Sequence, residues 1–351
     1  MQFKIKKFFI INLFITTLVF HNNLYSSAKL QNIEDFGVIS LMYHRFEENK
    51  YPSTNIRLND FKKHLMAVEK SNINFINPKN FEDELNKNKT QRKILLTIDD
   101  GFTSFYEKAW PILKEKKIPF ILFVSTREVG AFNYMTWDQI KELSDESFVE
   151  IGNHSHTHEY LVDENYDFIK ADIEKSISIF KEKLGNNSSF FSYPFGEYSL
   201  EFKDIIKSLG FKYAFGQHSG VIDETKDFYE LPRFPINEKY GEIKRFNSLI
   251  KTLPFKYKKI LPDEKYLKQN KNPPEVKIEF FENIDNLKSL NCYSNEGDKW
   301  RQSDIKFENE YTLVINIKEK FTGERGRINC SLRDPSGFWR WLGVQFVISD
   351  K

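Results

Sequence analysis

Six short apolar runs separated by amphipathic stretches constrain this chain more than any other feature. Val38–Tyr43, Lys93–Asp99, Phe120–Ser125, Phe148–Asn153, Phe190–Tyr193 and Tyr213–Gly216 are each four to seven residues long. That length suits strands buried on both faces and is too short for core helices. Between them, Phe61, Leu65 and Val68 share a helical face, as do Ile169, Ile173, Ile177, Phe180 and Leu184, and then Phe202, Ile205, Ile206 and Leu209. Strand and helix in alternation favour a parallel sheet covered by helices. In an α/β barrel, chemistry gathers at the C-terminal ends of the strands.

The rhythm stops near Pro235. The stretch 241–275 is rich in lysine with scattered prolines and reads as a helical or irregular connector. From Val276 onward the pattern is alternating and short, at Val276–Phe281, Tyr311–Ile317, Arg327–Leu332 and Gly343–Ile348, with turns at Asn295-Glu296-Gly297 and Asp334-Pro335-Ser336-Gly337. This predicts a small antiparallel β-domain over 276–351 behind an α/β domain over 36–240. A chain of 351 residues, 40% of them apolar, is long enough for two such cores. Fifty-two basic and 50 acidic side chains nearly cancel and form no block of one sign, which argues against a nucleic-acid partner.

Lys4, Lys6 and Lys7 precede an apolar run from Phe8 to Phe20, followed by Ser26-Ser27-Ala28. That order reads as a signal peptide over 1–28, exporting the chain to the periplasm or cell surface. Left uncleaved, the segment would attach it to the membrane. Cys292 and Cys330 are the only two cysteines, and an exported protein can bridge them.

Two polar clusters fall at strand ends. In Leu95-Leu96-Thr97-Ile98-Asp99-Asp100-Gly101, alternation points Thr97 and Asp99 into the barrel and leaves Asp100 at its rim. Adjacent carboxylates can divide labour there, one binding a cation and the other acting as a general base. In Ile151-Gly152-Asn153-His154-Ser155-His156-Thr157-His158, three of the chain's seven histidines fall within five residues. Histidines at i and i+4 reach one metal if the backbone turns helically, which selects His154 and His158 and turns His156 elsewhere.

Taken together, the Asp-Asp-Gly strand end and the His-Ser-x-x-His run about fifty residues later resemble the NodB-type polysaccharide deacetylases of carbohydrate esterase family 4. Leu41-Met42-Tyr43-His44-Arg45-Phe46 is also similar to the opening strand of many members, and the resemblance spans Val38 to Pro235. It implies a distorted (β/α) barrel and removal of N-acetyl groups from an acetylated polysaccharide or oligosaccharide. It further implies one divalent metal on Asp100, His154 and His158, with zinc the default and cobalt, nickel or manganese compatible, and Asp99 as base. Phe190-Phe191-Ser192-Tyr193-Pro194-Phe195-Gly196 resembles the family's groove wall, making Tyr193, Pro194 and Phe195 substrate-binding residues. Ser192 stands where the family carries the arginine that orients the base, so Arg233 is expected to supply that guanidinium from a later strand. His218 is expected as the general acid. The same metal site would also serve an O-acetyl esterase or another amide hydrolase. Loss of the arginine is what a decayed, carbohydrate-binding barrel would show.

Overall fold

A computed structural model describes residues 36–87, 91–281 and 284–349; the expected signal peptide lies outside the described residues. The expected strands all form, within a residue or two at their ends. They are β1 (Val38–Tyr43), β5 (Lys93–Ile98), β6 (Phe120–Val124), β7 (Val149–Asn153), β8 (Phe190–Ser192) and β9 (Tyr213–Phe215). Between β1 and β5 lie the short strands β2 (Arg45–Phe46), β3 (Asn55–Ile56) and β4 (Asn74–Phe75). With β10 (Phe234–Pro235), the parallel sheet runs β10-β1-β5-β6-β7-β8-β9, and β4 adds to β5. Every residue of β1, β5 and β6 is buried, the condition expected of a parallel sheet covered on both sides.

The sheet closes on itself through a segment that lacks a strand's apolar pattern. On one side, Gly216 N donates to Leu231 O at 3.0 Å and Arg233 N to His218 O at 2.9 Å. On the other, Phe234 and Pro235 pair with Leu41 and Met42 of β1. Residues 231–235 therefore bridge β9 to β1, and Arg233 enters the barrel from this closing segment.

Helices α1 (Leu58–Lys70), α2 (Phe81–Lys87), α3 (Trp110–Lys116), α4 (Trp137–Ser144), α5 (Tyr166–Leu184), α6 (Leu200–Ser208) and α7 (Ile243–Leu249) complete this part. Their starts follow from local chemistry. Thr136 and Gln139 cap α4 reciprocally, and the side chains of Asn165 and Ser199 accept amides at the heads of α5 and α6.

The stretch expected as a connector is built into the C-terminal half. After α7 it supplies β11 (Leu253–Pro254), β12 (Tyr257–Leu261) and β13 (Tyr266–Leu267). The remaining strands are β14 (Val276–Phe280), β15 (Asn291–Ser294), β16 (Arg301–Gln302), β17 (Asp304–Phe307), β18 (Thr312–Asn316), β19 (Arg325–Arg333) and β20 (Trp339–Ile348). They form one sheet of order β11-β20-β19-β15-β16, with β13 also on β20, and a second of order β12-β14-β18-β17. Both sheets turn apolar residues, among them Ile278, Leu313, Ile328 and Phe346, into one shared core. Cys292 and Cys330 face each other across β15 and β19 and are bridged. Among the described residues, no helix is long and apolar enough to cross a membrane.

Candidate active site

β5 delivers Asp99 and Asp100 to the barrel mouth in two different environments. Asp99 N donates to Tyr43 O at 2.9 Å, extending the β1–β5 ladder by one residue, and its side chain is fully buried. Asp100 has φ 75° and Gly101 φ 73°, so the chain leaves the strand by a left-handed turn that exposes the rim.

Arg233 meets Asp99 as a bidentate partner. Nη1 donates to Oδ1 at 2.7 Å and Nη2 to Oδ2 at 2.8 Å, with both side chains at 0% exposure. The same guanidinium donates to Ser192 Oγ at 2.8 Å, to Thr97 Oγ1 at 3.3 Å and, through Nε, to Gly216 O at 3.0 Å. Burial pushes the Asp99 carboxyl up. The Arg233 guanidinium beside it outweighs that and holds it below the usual range, as an ionised base requires. Arg233 thus places a guanidinium on Asp99 from the closing segment, with the Ser192 hydroxyl as its additional contact.

Asp100, His154 and His158 converge. Asp100 Oδ1 lies 3.4 Å from His154 Nε2 and 3.3 Å from His158 Nε2, and the two Nε2 atoms are 3.2 Å apart. A tetrahedral ion with bonds of about 2.1 Å holds its ligand atoms about 3.4 Å apart, which matches this triangle. Asp100 Oδ1 is also buried without a hydrogen-bond donor. His154 Nδ1 donates to Ser192 O at 2.6 Å, which leaves the Nε2 lone pair directed at the triangle. The three donor atoms therefore fit a divalent cation.

The two histidines converge without the helical turn that the spacing suggests. Ser155 and His158 have φ 70° and 54°, and α5 fixes the turn between them. Asp172 accepts the amides of His156 at 2.8 Å and Thr157 at 3.1 Å, and Ser155 Oγ accepts that of His158 at 3.0 Å. His156 turns away, its Nδ1 2.9 Å from Thr126 Oγ1.

The groove wall divides differently from expectation. Tyr193 and Pro194 are buried, and the Tyr193 hydroxyl donates to Tyr229 O at 3.0 Å, so neither side chain faces a ligand. Phe195 does reach the site, its ring 4.8 Å from that of His158 and stacked at 4.1 Å on the half-exposed Tyr160. Between Tyr193 and Glu197, the amides of 193, 196 and 197 are used within the protein and Pro194 has none. Among the described residues, Phe195 N–H meets no backbone acceptor outside its own turn.

His218 is not brought to the carboxylates. Its ring lies 6.3 Å from that of Tyr198, and no hydrogen bond joins it to Asp99, Asp100, His154 or His158. Burial first, then the charges of Lys265, Lys203 and Arg233, lower its pKa to about 3, so it carries no proton to donate near neutrality. His44 is the histidine that comes near the two carboxylates outside the metal triangle. It follows Tyr43, whose partner across β1–β5 is Ile98, so it emerges beside Asp99. Burial lowers its pKa, and the nearby charges of Asp100 and Asp99 push the other way. A polar residue directly after a buried strand that runs in register with the Asp99 strand was the available signal.

A parallel barrel with an Asp-His-His triangle and a buried arginine-held carboxylate at its strand ends defines a class of hydrolytic site built to accept a cation. Residues 86–214 match the family model described as polysaccharide deacetylase. A putative polysaccharide deacetylase, YxkH of Bacillus subtilis, is 23% identical over 199 residues, covering 56% of this chain and 70% of that protein. A poly-beta-1,6-N-acetyl-D-glucosamine N-deacetylase of Staphylococcus aureus is 25% identical over 251 residues, covering 63% and 87%. Among solved structures, IcaB from Ammonifex degensii superimposes with a TM-score of 0.57 at 25% identity over 62% of this chain and 98% of that one. Streptococcus pyogenes deacetylase PplD in complex with acetate gives 0.56 at 21% identity over 62% and 99%. Over residues 86–214, which hold Asp99, Asp100, His154 and His158, the chain is similar to the polysaccharide deacetylases.

Proposed function

We propose that this enzyme removes N-acetyl groups from an N-acetylglucosamine polymer outside the cytoplasm, using one divalent cation, zinc, on Asp100, His154 and His158. The observation that carries the reading is the fully buried Asp99–Arg233 pair directly beside the Asp100–His154–His158 triangle. A carboxylate held ionised by an arginine next to a cation site is the arrangement that hydrolysis of an amide by activated water needs.

The cation supplies Lewis-acid polarisation of the scissile carbonyl and a lowered pKa for the attacking water. Asp99 accepts the water proton, and Arg233 keeps that carboxylate ionised and aimed. Phe195 N–H donates to the oxyanion that develops as the carbonyl becomes tetrahedral. The proton taken up by Asp99 passes to the departing amine, with His44 beside the same carboxylates at the end of β1 to relay it, so acetate and a free amino sugar leave. Phe195 and Tyr160 form an aromatic wall against which a sugar ring packs.

The preference for an N-acetylglucosamine polymer is supported by likeness to the staphylococcal N-deacetylase and to IcaB. Export to the periplasm or cell surface is supported by the basic-then-apolar order of residues 4–20 and by the Cys292–Cys330 bridge, which persists in oxidising compartments. Acetate release from β-1,6- and β-1,4-linked N-acetylglucosamine oligomers and from acetylxylan, with and without added zinc, tests the proposal. Zinc-dependent release from the glucosamine oligomers, abolished in Asp99→Asn, is expected. Release from acetylxylan alone would assign an O-acetyl esterase instead.

A further inference from the structure

We propose that a cleft between α7 and the C-terminal sheet is a second saccharide site, one that holds uncharged, N-acetylated stretches of the polymer. This rests on the polymer-deacetylase reading above. The cleft has a volume of about 290 Å³, at the small end of the range for ligand pockets. One wall is strand face: Trp339 and Trp341 are two residues apart on β20, and Ser331 of β19 pairs with Trp341. The other is helix face: Arg245, Ser248 and Leu249 lie at i, i+3 and i+4. Phe234 closes the back, its ring 6.4 Å from that of Trp341.

The lining has the chemistry of a sugar. A pyranose presents a flat face of C–H groups edged by hydroxyls, and here two indoles stand beside serine and threonine hydroxyls and a guanidinium. Trp339 is 46% exposed on a strand whose last seven residues are all buried, so its indole face is available to a ligand. The indole N–H of Trp341 is buried and meets no acceptor among the described residues, which a ligand oxygen would correct. Arg245 donates to Tyr240 O at 2.5 Å, its one hydrogen bond among the described residues, which leaves further donors on its guanidinium.

Charge sets the preference. No carboxylate lines the cleft and Arg245 does. An acetamido sugar is neutral and tolerated there, whereas the ammonium left by deacetylation is repelled. The cleft would then hold unreacted segments and release finished ones. Phe234 alternates with Arg233 along the closing segment, so the cleft lies across the barrel wall from Asp99. One chain must therefore be several sugars long to occupy both places, and the gain is one of effective concentration.

The test uses the full chain loaded with zinc and inactivated by Asp99→Asn, so that no turnover intervenes. A fully N-acetylated β-1,6-linked glucosamine pentamer is titrated against tryptophan emission, in parallel with its fully deacetylated counterpart. The acetylated pentamer is expected to perturb emission at least tenfold more tightly than the deacetylated one. Trp339→Ala and the cleft-filling Ser248→Trp, both at exposed positions, should each weaken that response fivefold or more. Arg245→Glu should reverse the preference toward the deacetylated pentamer. In active enzyme, Trp339→Ala should raise KM for long polymer about tenfold and leave kcat in place. Equal binding of the two pentamers, or wild-type binding in Trp339→Ala and Ser248→Trp, overturns the cleft. Failure of the wild type to release acetate overturns the deacetylase reading and leaves the pentamer titration to decide the cleft by itself.

Discussion

Replacing Arg233 by Met tests the buried pair on which the site is built. The methionine stem can lie among Phe123 and Phe215, the rings 5.5 Å and 5.8 Å from the guanidinium, so volume is roughly kept while charge is lost. Asp99 is then a carboxylate at 0% exposure without its bidentate partner. Breaking a buried pair from one side costs about 3–5 kcal/mol. Ser192, Thr97 and Gly216 also lose a donor, which places the expected loss in the upper half of that range. With an m-value of about 3 kcal/mol/M, the urea midpoint should fall by roughly 1.3–1.7 M. Asp99→Asn alone strands the opposite charge and should cost a similar amount. The double variant should lose at least about 2 kcal/mol less than the sum of the two, because neither charge is then buried alone. Acetate release by Arg233→Met should fall by about 100-fold or more in kcat, since a base displaced by about an ångström loses that much. A coupling energy below about 0.5 kcal/mol, or kcat within a few-fold of wild type, would refute the assignment of Arg233 as the residue that holds the base.

His64 is buried between Tyr43 OH at 3.0 Å and Gly241 O at 2.6 Å, and burial lowers its pKa from 6.5 to about 4. The unfolded chain takes up the proton first, so this stabilisation is complete above pH 6.5 and is lost as pH falls toward 4. The loss is about 3 kcal/mol; urea unfolding across that window should show it, and His64→Gln should flatten it. Adding zinc to chelator-treated protein at 100 times its Kd should stabilise by about 2.7 kcal/mol, and His154→Ala should abolish the effect in thermal melts. At Gly152, an added Cβ would meet the Phe123 ring at 2.4 Å. Gly152→Ala should therefore cost about 1–3 kcal/mol in urea unfolding and lower activity by displacing the strand that carries His154. Reducing the Cys292–Cys330 bridge, which spans 38 residues, should lower stability by up to about 4 kcal/mol in denaturation with and without dithiothreitol.

Strands β1, β5 and β6 were legible because burial on both faces demands an unbroken apolar run, and the sequence has few other reasons for one. The histidine pair was legible from spacing, although the turn that joins them owes its shape to Asp172 of α5 and not to helical geometry. The edge strands β11 and β13 were not legible. Each is two residues long and is held by pairing with β20, a contact that leaves almost no trace in local pattern. His218 was misjudged because position in the chain stood in for position in space. It lies close in sequence to Arg233, yet the backbone carbonyl of His218, not its ring, is what that segment uses.

The closing segment explains why the site was half visible. A central strand with two prolines would forfeit ladder hydrogen bonds, so Pro232 and Pro235 argue against a strand when read locally. At the seam between β9 and β1 the ladder is already irregular, and a proline costs little there. That irregularity is what frees Arg233 to turn its guanidinium inward and contact Asp99, Ser192, Thr97 and Gly216 together. Ser192 is fully buried, with its hydroxyl 3.4 Å from Asp99 Oδ2, so the short serine at 192 and the long arginine at 233 fill one space between them. An arginine at both positions would place two guanidinium groups against one carboxylate in a packed interior, where the second would be buried without a counter-charge. The serine is therefore the complement of Arg233 and not a mark of decay, because the function of a charge at this site is set by what it reaches.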